Sequence, residues 1–88
     1  MIEKPLTVTN PLGIHARPAA LIVQTASKFG CDITLIKDGR RVNAKSMLGV
    51  MTLAAEQGST VTVVANGADE AEAVAALEAV FRRRFGED

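Results

Sequence analysis

His15 is the only histidine in the chain. It stands in Gly13-Ile14-His15-Ala16-Arg17-Pro18, where an imidazole, a guanidinium and the start of a helix fall together. Asn10-Pro11-Leu12-Gly13 is turn chemistry, and Ala19, Ile22, Val23, Ala26 and Phe29 recur at helical spacing, so the pattern puts His15 at the helix start. The unpaired N–H groups of a helix N-terminus attract negative charge and disfavour a neighbouring cation, which suits a neutral, nucleophilic imidazole and a phosphoryl group as its target. Arg17 adds a planar donor fork that fits phosphate oxygens. Pro18 is tolerated in a first helical turn but biases Arg17 away from helical geometry, so some strain is expected there. A lone histidine at a helix start is more often a surface or capping residue. The phosphoryl reading therefore rests on the combination and its order.

The elements that must hold this loop are read from apolar periodicity. Leu6-Thr7-Val8-Thr9 alternates as a strand that Pro5 suits as a start, and the first helix is expected to end at Gly30. Residues 31–36 alternate again. Lys37-Asp38-Gly39-Arg40 then carries the Asp-Gly pair of a tight hairpin, returning through residues 41–44. Ser46 is placed as an N-cap before a short helix of one or two turns, and Thr60-Val61-Thr62-Val63-Val64-Ala65 is a fourth strand. Asn66-Gly67 turns into a last helix in which Asp69 and Glu72 have capping-box spacing. Its buried stripe is Val74, Leu77, Phe81 and Phe85, with Arg82, Arg83 and Arg84 as a solvated, dipole-matched end. The order is β-α-β-β-α-β-α, an α+β two-layer sandwich in one domain spanning residues 1–88.

Composition narrows the function. Ten basic and ten acidic residues cancel to a net charge of zero, which argues against a nucleic-acid or membrane-surface binder driven by bulk charge. No signal-like or membrane-spanning run is visible, so the expectation is a soluble, cytoplasmic protein with no membrane insertion. Cys31 is the only cysteine. It is read as a core or strand-edge residue, and the chain lacks a zinc-type ligand set, so no metal is expected.

A second site is expected at Ser46. As a structural cap it needs no further explanation, yet Met47, Leu48 and Met51 put flexible apolar groups on a helix too short to bury every face. Such a patch reads as a docking surface for several partners.

The run His15-Ala16-Arg17-Pro18 ahead of an apolar-periodic helix resembles the signature of the HPr family, the histidine-containing phosphocarriers of the phosphoenolpyruvate-dependent phosphotransferase system. The resemblance covers essentially the whole chain, and Lys45-Ser46-Met47-Leu48-Gly49-Val50-Met51 extends it. It implies an open-faced sandwich, a four-stranded antiparallel sheet with three helices on one face. It further implies that His15 accepts a phosphoryl group through Nδ1 from enzyme I and passes it to sugar-specific enzyme IIA components. Arg17 would balance charge, and the Ala16 and Arg17 N–H groups would hold the oxygens. Ser46 would be the target of a regulatory kinase, HPr kinase/phosphorylase, with a catabolite-control transcription factor downstream. Docking would use Met47, Leu48, Met51 and Ala20. Such a protein is a monomeric stoichiometric carrier with no cofactor and no turnover of its own.

Other classes fit the same element order. A ferredoxin-like fold, including RNA-binding modules and small-ligand regulatory domains, shares the opening β-α-β-β-α-β, but the strands lack aromatic residues for base stacking. A regulatory paralogue using only Ser46 would lack the histidine that this chain has. Within the family, a carrier for a nitrogen-related or purely regulatory phosphorelay without sugar transport remains the alternative.

Overall fold

The structure, a computed structural model, describes residues 1–87. Four strands, β1 (Ile2–Thr7), β2 (Asp32–Lys37), β3 (Arg40–Asn43) and β4 (Thr60–Asn66), form one antiparallel sheet in the order β1-β4-β2-β3. Helices α1 (Ala16–Ala26), α2 (Met47–Thr52) and α3 (Glu70–Arg82) complete an open-faced sandwich with the expected element order. Leu6, Ile33, Leu35, Val61, Val63 and Ala65 meet Ala19, Ile22, Val50, Leu77 and Phe81 in a single core. No helix among the described residues is long and apolar enough to cross a membrane.

β1 begins earlier than the alternation suggests. Ile2, Lys4, Leu6 and Val8 share its inner face, and the aliphatic stem of Lys4 lies there while its ammonium pairs with Glu78 at 2.8 Å. Pro5 lies inside the strand rather than at its start, which is permitted because β1 is a sheet edge. Val8 prolongs the pairing, donating to Ser59 O at 2.9 Å and accepting from Gly58 N at 2.8 Å. The hairpin is as expected: Asp38 and Gly39 both have positive φ, 50° and 80°, between the paired residues Lys37 and Arg40.

Two helix ends differ from expectation. α1 stops at Ala26 and not at Gly30: Ser27 N still donates to Val23 O, but Lys28 and Phe29 leave the helix through three-residue turns onto Thr25 O and Ala26 O, and Lys45 Nζ binds Phe29 O at 2.7 Å. Val23 and Phe29 are accordingly half-buried. At the start of α3, Asp69 occupies the N-cap position, yet its side chain makes no cap. Its carboxylate instead accepts from Gly30 N at 2.9 Å and Cys31 N at 3.0 Å, joining α3 to the entrance of β2. The reciprocal bond shifts by two residues, with Glu70 Oε1 accepting from Gly67 N at 3.1 Å. Tertiary donors with no other partner have outcompeted the local capping box.

These carboxylates are held below their ordinary values by what they accept from. For Asp69 the cause is chiefly the Gly30 amide, for Glu70 the N-terminal ammonium at 2.9 Å, and for Glu78 the Lys4 ammonium. A depressed folded-state value means stabilisation that is present above the unfolded value and lost as pH falls through the folded one. Unfolding temperature should therefore decline below about pH 4. Asp69→Asn should be less stable than the native chain at pH 7, with the gap closing towards pH 2. Thermal unfolding followed by circular dichroism checks this, and a gap of equal size at both pH values would contradict it.

Candidate functional site

The loop ahead of α1 is shaped by backbone. Gly13 N donates to Asn10 O at 3.1 Å, closing the turn, and Ile14 N donates to Ala55 O at 2.8 Å. Gly13 has φ +69°, and a Cβ there would stand 2.3 Å from that same Ala55 oxygen. Only glycine fits. Held in this way, His15 becomes the N-cap residue of α1, its extended backbone carbonyl accepting from Ala19 N at 2.9 Å while its side chain makes no cap. Ala16 and Arg17 open the helix, so their N–H groups have no acceptor among the described residues.

The imidazole is free of a capping role because it has another partner. Nε2 lies 2.8 Å from Glu87 Oε2, and the other oxygen of that carboxylate accepts from Asn10 Nδ2 at 2.9 Å. The His15 side chain is 38% exposed and Glu87 17%. Asn10 is fully buried, and its Nδ2 also donates to Gly13 O at 2.7 Å. Its Oδ1 has no partner among the described residues, a loss of about 1–3 kcal/mol for a buried polar atom. The amide orientation follows from the network, since the reverse flip would set oxygen against two acceptors.

The tail reaches His15 through a left-handed turn. After α3, Arg84 and Phe85 have φ of 54° and 56°, and Phe85 is buried with its ring edge-to-face on Phe81 at 4.9 Å. Phe85 thus joins the buried stripe, though not on a helix. Arg83 and Arg84 lie past the end of α3, and only Arg82 is within it, paired with Glu78 at 3.2 Å. Arg83 lines a cleft of about 460 Å³ with Arg17, Gln24 and Lys28. Arg17 is exposed and helical, with no positive φ, so the expected strain is absent. A first turn tolerates proline because its missing N–H would be unbonded anyway, and this outweighs the pre-proline preference.

Ser46 is placed as expected. It is the N-cap of α2, its Oγ accepting from Gly49 N at 3.1 Å. Met47 is 36% exposed, Leu48 76% and Met51 43%, whereas Val50 is buried, so one face of α2 packs and the rest is open. Ala20 is half-buried on α1. α1 and α2 pack against each other. Leu12, 76% exposed in the loop before His15, is a further apolar group at the surface. Cys31 is buried, and burial together with the nearby Asp69 carboxylate pushes its thiol up, in keeping with a core role.

Asn10 and Glu87 are the site residues that sequence reasoning missed. Asn10 reads as one turn residue among several. Glu87 is separated from His15 by 72 positions, a pairing that no local spacing encodes.

A family model described as the phosphorylation site of the PTS HPr component matches residues 2–83. The chain belongs to the HPr family. A phosphocarrier protein HPr of Xylella fastidiosa is 54% identical over 88 residues, covering 100% of this chain and 99% of that one. That of Treponema pallidum is 50% identical and covers both chains completely. The crystal structure of HPr-C-His from Thermoanaerobacter tengcongensis superposes with a TM-score of 0.96 at 49% identity, covering 100% of this chain and 99% of that one. The chain's general role is therefore that of an HPr phosphocarrier of the phosphotransferase system.

The close approach at Gly13 can be separated from its positive φ. Gly39→Ala, at φ +80° with nothing within 4 Å, should lose about 1–2 kcal/mol from strain alone. Gly13→Ala should lose roughly 1–3 kcal/mol more, because backbone must move. Urea unfolding measures both, and equal losses would mean that the contact with Ala55 does not constrain the loop.

Proposed function

We propose that this HPr-family chain carries a phosphoryl group on His15, accepted from phosphorylated enzyme I and passed to enzyme IIA components that serve sugar uptake. The observation that carries this reading is the 2.8 Å contact between His15 Nε2 and Glu87 Oε2. A carboxylate accepts, so the proton sits on Nε2 and Nδ1 keeps its lone pair as the nucleophile. Support for the acceptor geometry comes from the Ala16 and Arg17 amides at the same helix start, which have no acceptor among the described residues and suit the phosphoryl oxygens, and from the exposed Arg17 guanidinium, which balances their charge. The Nδ1 lone pair attacks phosphorus, the donor's bond to phosphorus breaks, and the reverse step hands the group on. The chain thus acts as a stoichiometric intermediate without turnover of its own. It works as a cytoplasmic monomer, one HPr-like unit over residues 1–88, with neither metal nor cofactor on this chain.

Ser46 is proposed as the site of regulatory phosphorylation by HPr kinase/phosphorylase, with a catabolite-control transcription factor as a further partner of the modified form. Met47, Leu48, Met51 and Ala20 are proposed to dock the partners. Their exposure beside a serine hydroxyl supports this, since an added phosphate would set up to two negative charges against an apolar contact.

Intact mass after incubation with enzyme I and phosphoenolpyruvate tests the carrier role. One added phosphoryl group is expected, lost in acid, stable in alkali and absent from His15→Ala. No transfer from a donor active on another HPr would overturn the reading, and transfer onward to a regulatory acceptor but to no sugar-specific one would move it to a regulatory phosphorelay. Separately, Ser46→Asp should accept the group from enzyme I roughly tenfold more slowly in stopped-time assays. Equal rates would remove the proposed electrostatic control.

A further inference from the structure

Asn10 is fully buried, yet one side of its amide is unpaired while the other serves two acceptors, Gly13 O at 2.7 Å and Glu87 Oε1 at 2.9 Å. Beyond satisfying the Gly13 carbonyl of its own turn, the amide reaches a second acceptor outside that turn. What the amide does is fix Glu87. One carboxylate oxygen is held by Asn10 and the other faces His15 Nε2. We propose that Asn10 is a positioning residue for phosphoryl transfer, acting through Glu87 to keep the imidazole proton on Nε2 in both the free and the phosphorylated state. The inference rests on His15 being the phosphoryl carrier and adds to that reading the groups that hold its proton.

As the Nδ1 lone pair forms the N–P bond, the donor's bond to phosphorus breaks and its electron pair leaves with the donor. The ring becomes a phosphoimidazolium whose Nε2–H lies against the Glu87 carboxylate, a charge-assisted hydrogen bond. On the return, the N–P electrons go back to Nδ1, and the ring departs as neutral imidazole because Nε2 still holds its proton. No proton crosses in either direction. Were that proton lost to water between the two steps, the leaving group would be an imidazolate and the phosphoryl group would be stranded. Asn10 ties this device to the loop, since the same Nδ2 binds the Gly13 carbonyl two residues before His15.

The test is the tautomer ratio of His15, read by two-bond proton–nitrogen correlation NMR on nitrogen-15 histidine-labelled full chain, at a pH where titration shows the ring neutral. The native chain should hold the Nε2–H form. Glu87→Ala, near the chain end and outside the core, should raise the ratio of Nδ1–H to Nε2–H by roughly threefold to tenfold. Asn10→Ala should shift it in the same direction, and the double variant no further than Glu87→Ala alone. Both phosphorylated single variants should hand the group to an enzyme IIA component several-fold more slowly than the native chain. An unchanged ratio in Glu87→Ala would overturn the proposal, as would an Asn10→Ala protein that folds with lowered thermal stability and native tautomers. Failure of the native chain to accept a phosphoryl group, with the tautomer shifts present, would overturn the carrier reading and the transfer step with it.

Discussion

The position of His15 depends on one carbonyl. Ala55 O accepts from Ile14 N–H at 2.8 Å, and the absent Cβ of Gly13 leaves room for that oxygen. Ala55 belongs to the segment leaving α2, so the chain that ends the second helix fixes where the first begins. Both ends of the joint are backbone. Side chains on the outer face of α2 can therefore be chosen for partner contacts, as the exposure of Leu48 illustrates, without displacing the imidazole. A joint made of side chains would couple docking to chemistry far more tightly.

The approach of the tail is a balance of opposing terms. Two non-glycine residues in left-handed geometry, Arg84 and Phe85, cost about 1–2 kcal/mol each. Burying the Phe85 ring returns about 1.5–3 kcal/mol, and its edge-to-face contact with Phe81 a further 0.5–1.5. These nearly cancel. What then decides that Glu87 lies beside His15, and not in solvent, is the pair of hydrogen bonds from Asn10 and His15. The aromatic residue brings the carboxylate within reach, and the polar contacts choose its final place.

The fold was legible in the sequence to the extent that its signals are local. Period-two alternation, the Asp38-Gly39 pair and the Ser46 cap each act over a few residues; the hairpin and the cap are found where they were expected, and the alternation marked all four strands, though not the start of β1. Failures came where a distant partner outcompeted a near one. Asp69 kept the N-cap position but gave its carboxylate to the amides of Gly30 and Cys31, and at the end of α1, which stops short of Gly30, Lys45 reached the Phe29 carbonyl. The early start of β1 was hidden because Lys4 occupies an inward position that its ion pair with Glu78 makes tolerable. At the candidate site, the loop, His15 and Arg17 form one contiguous run and were readable. Asn10 and Glu87 were not, because a buried amide and a tail carboxylate acquire meaning only once the sheet and α3 have brought them together.

A carrier faces a constraint that an enzyme does not. If His15 is the carrier, as proposed, a donor and an acceptor must both reach the same nitrogen, which fits a side chain more than one third exposed. The usual means of strengthening electrostatics, exclusion of water by a lid or a deep pocket, is then closed to it. Organisation has to come from beneath and behind: amides fixed by the first turn of α1, and a carboxylate held by a buried asparagine. On the proposed reading each incoming partner would complete the dry surroundings for as long as it stays. The docking patch proposed on α2 is small, a few side chains around Met47, Leu48 and Met51, as brief encounters would require. The chain's own contacts thus fix the geometry of the nitrogen, and on the proposed reading its solvation would be supplied by whichever protein is bound.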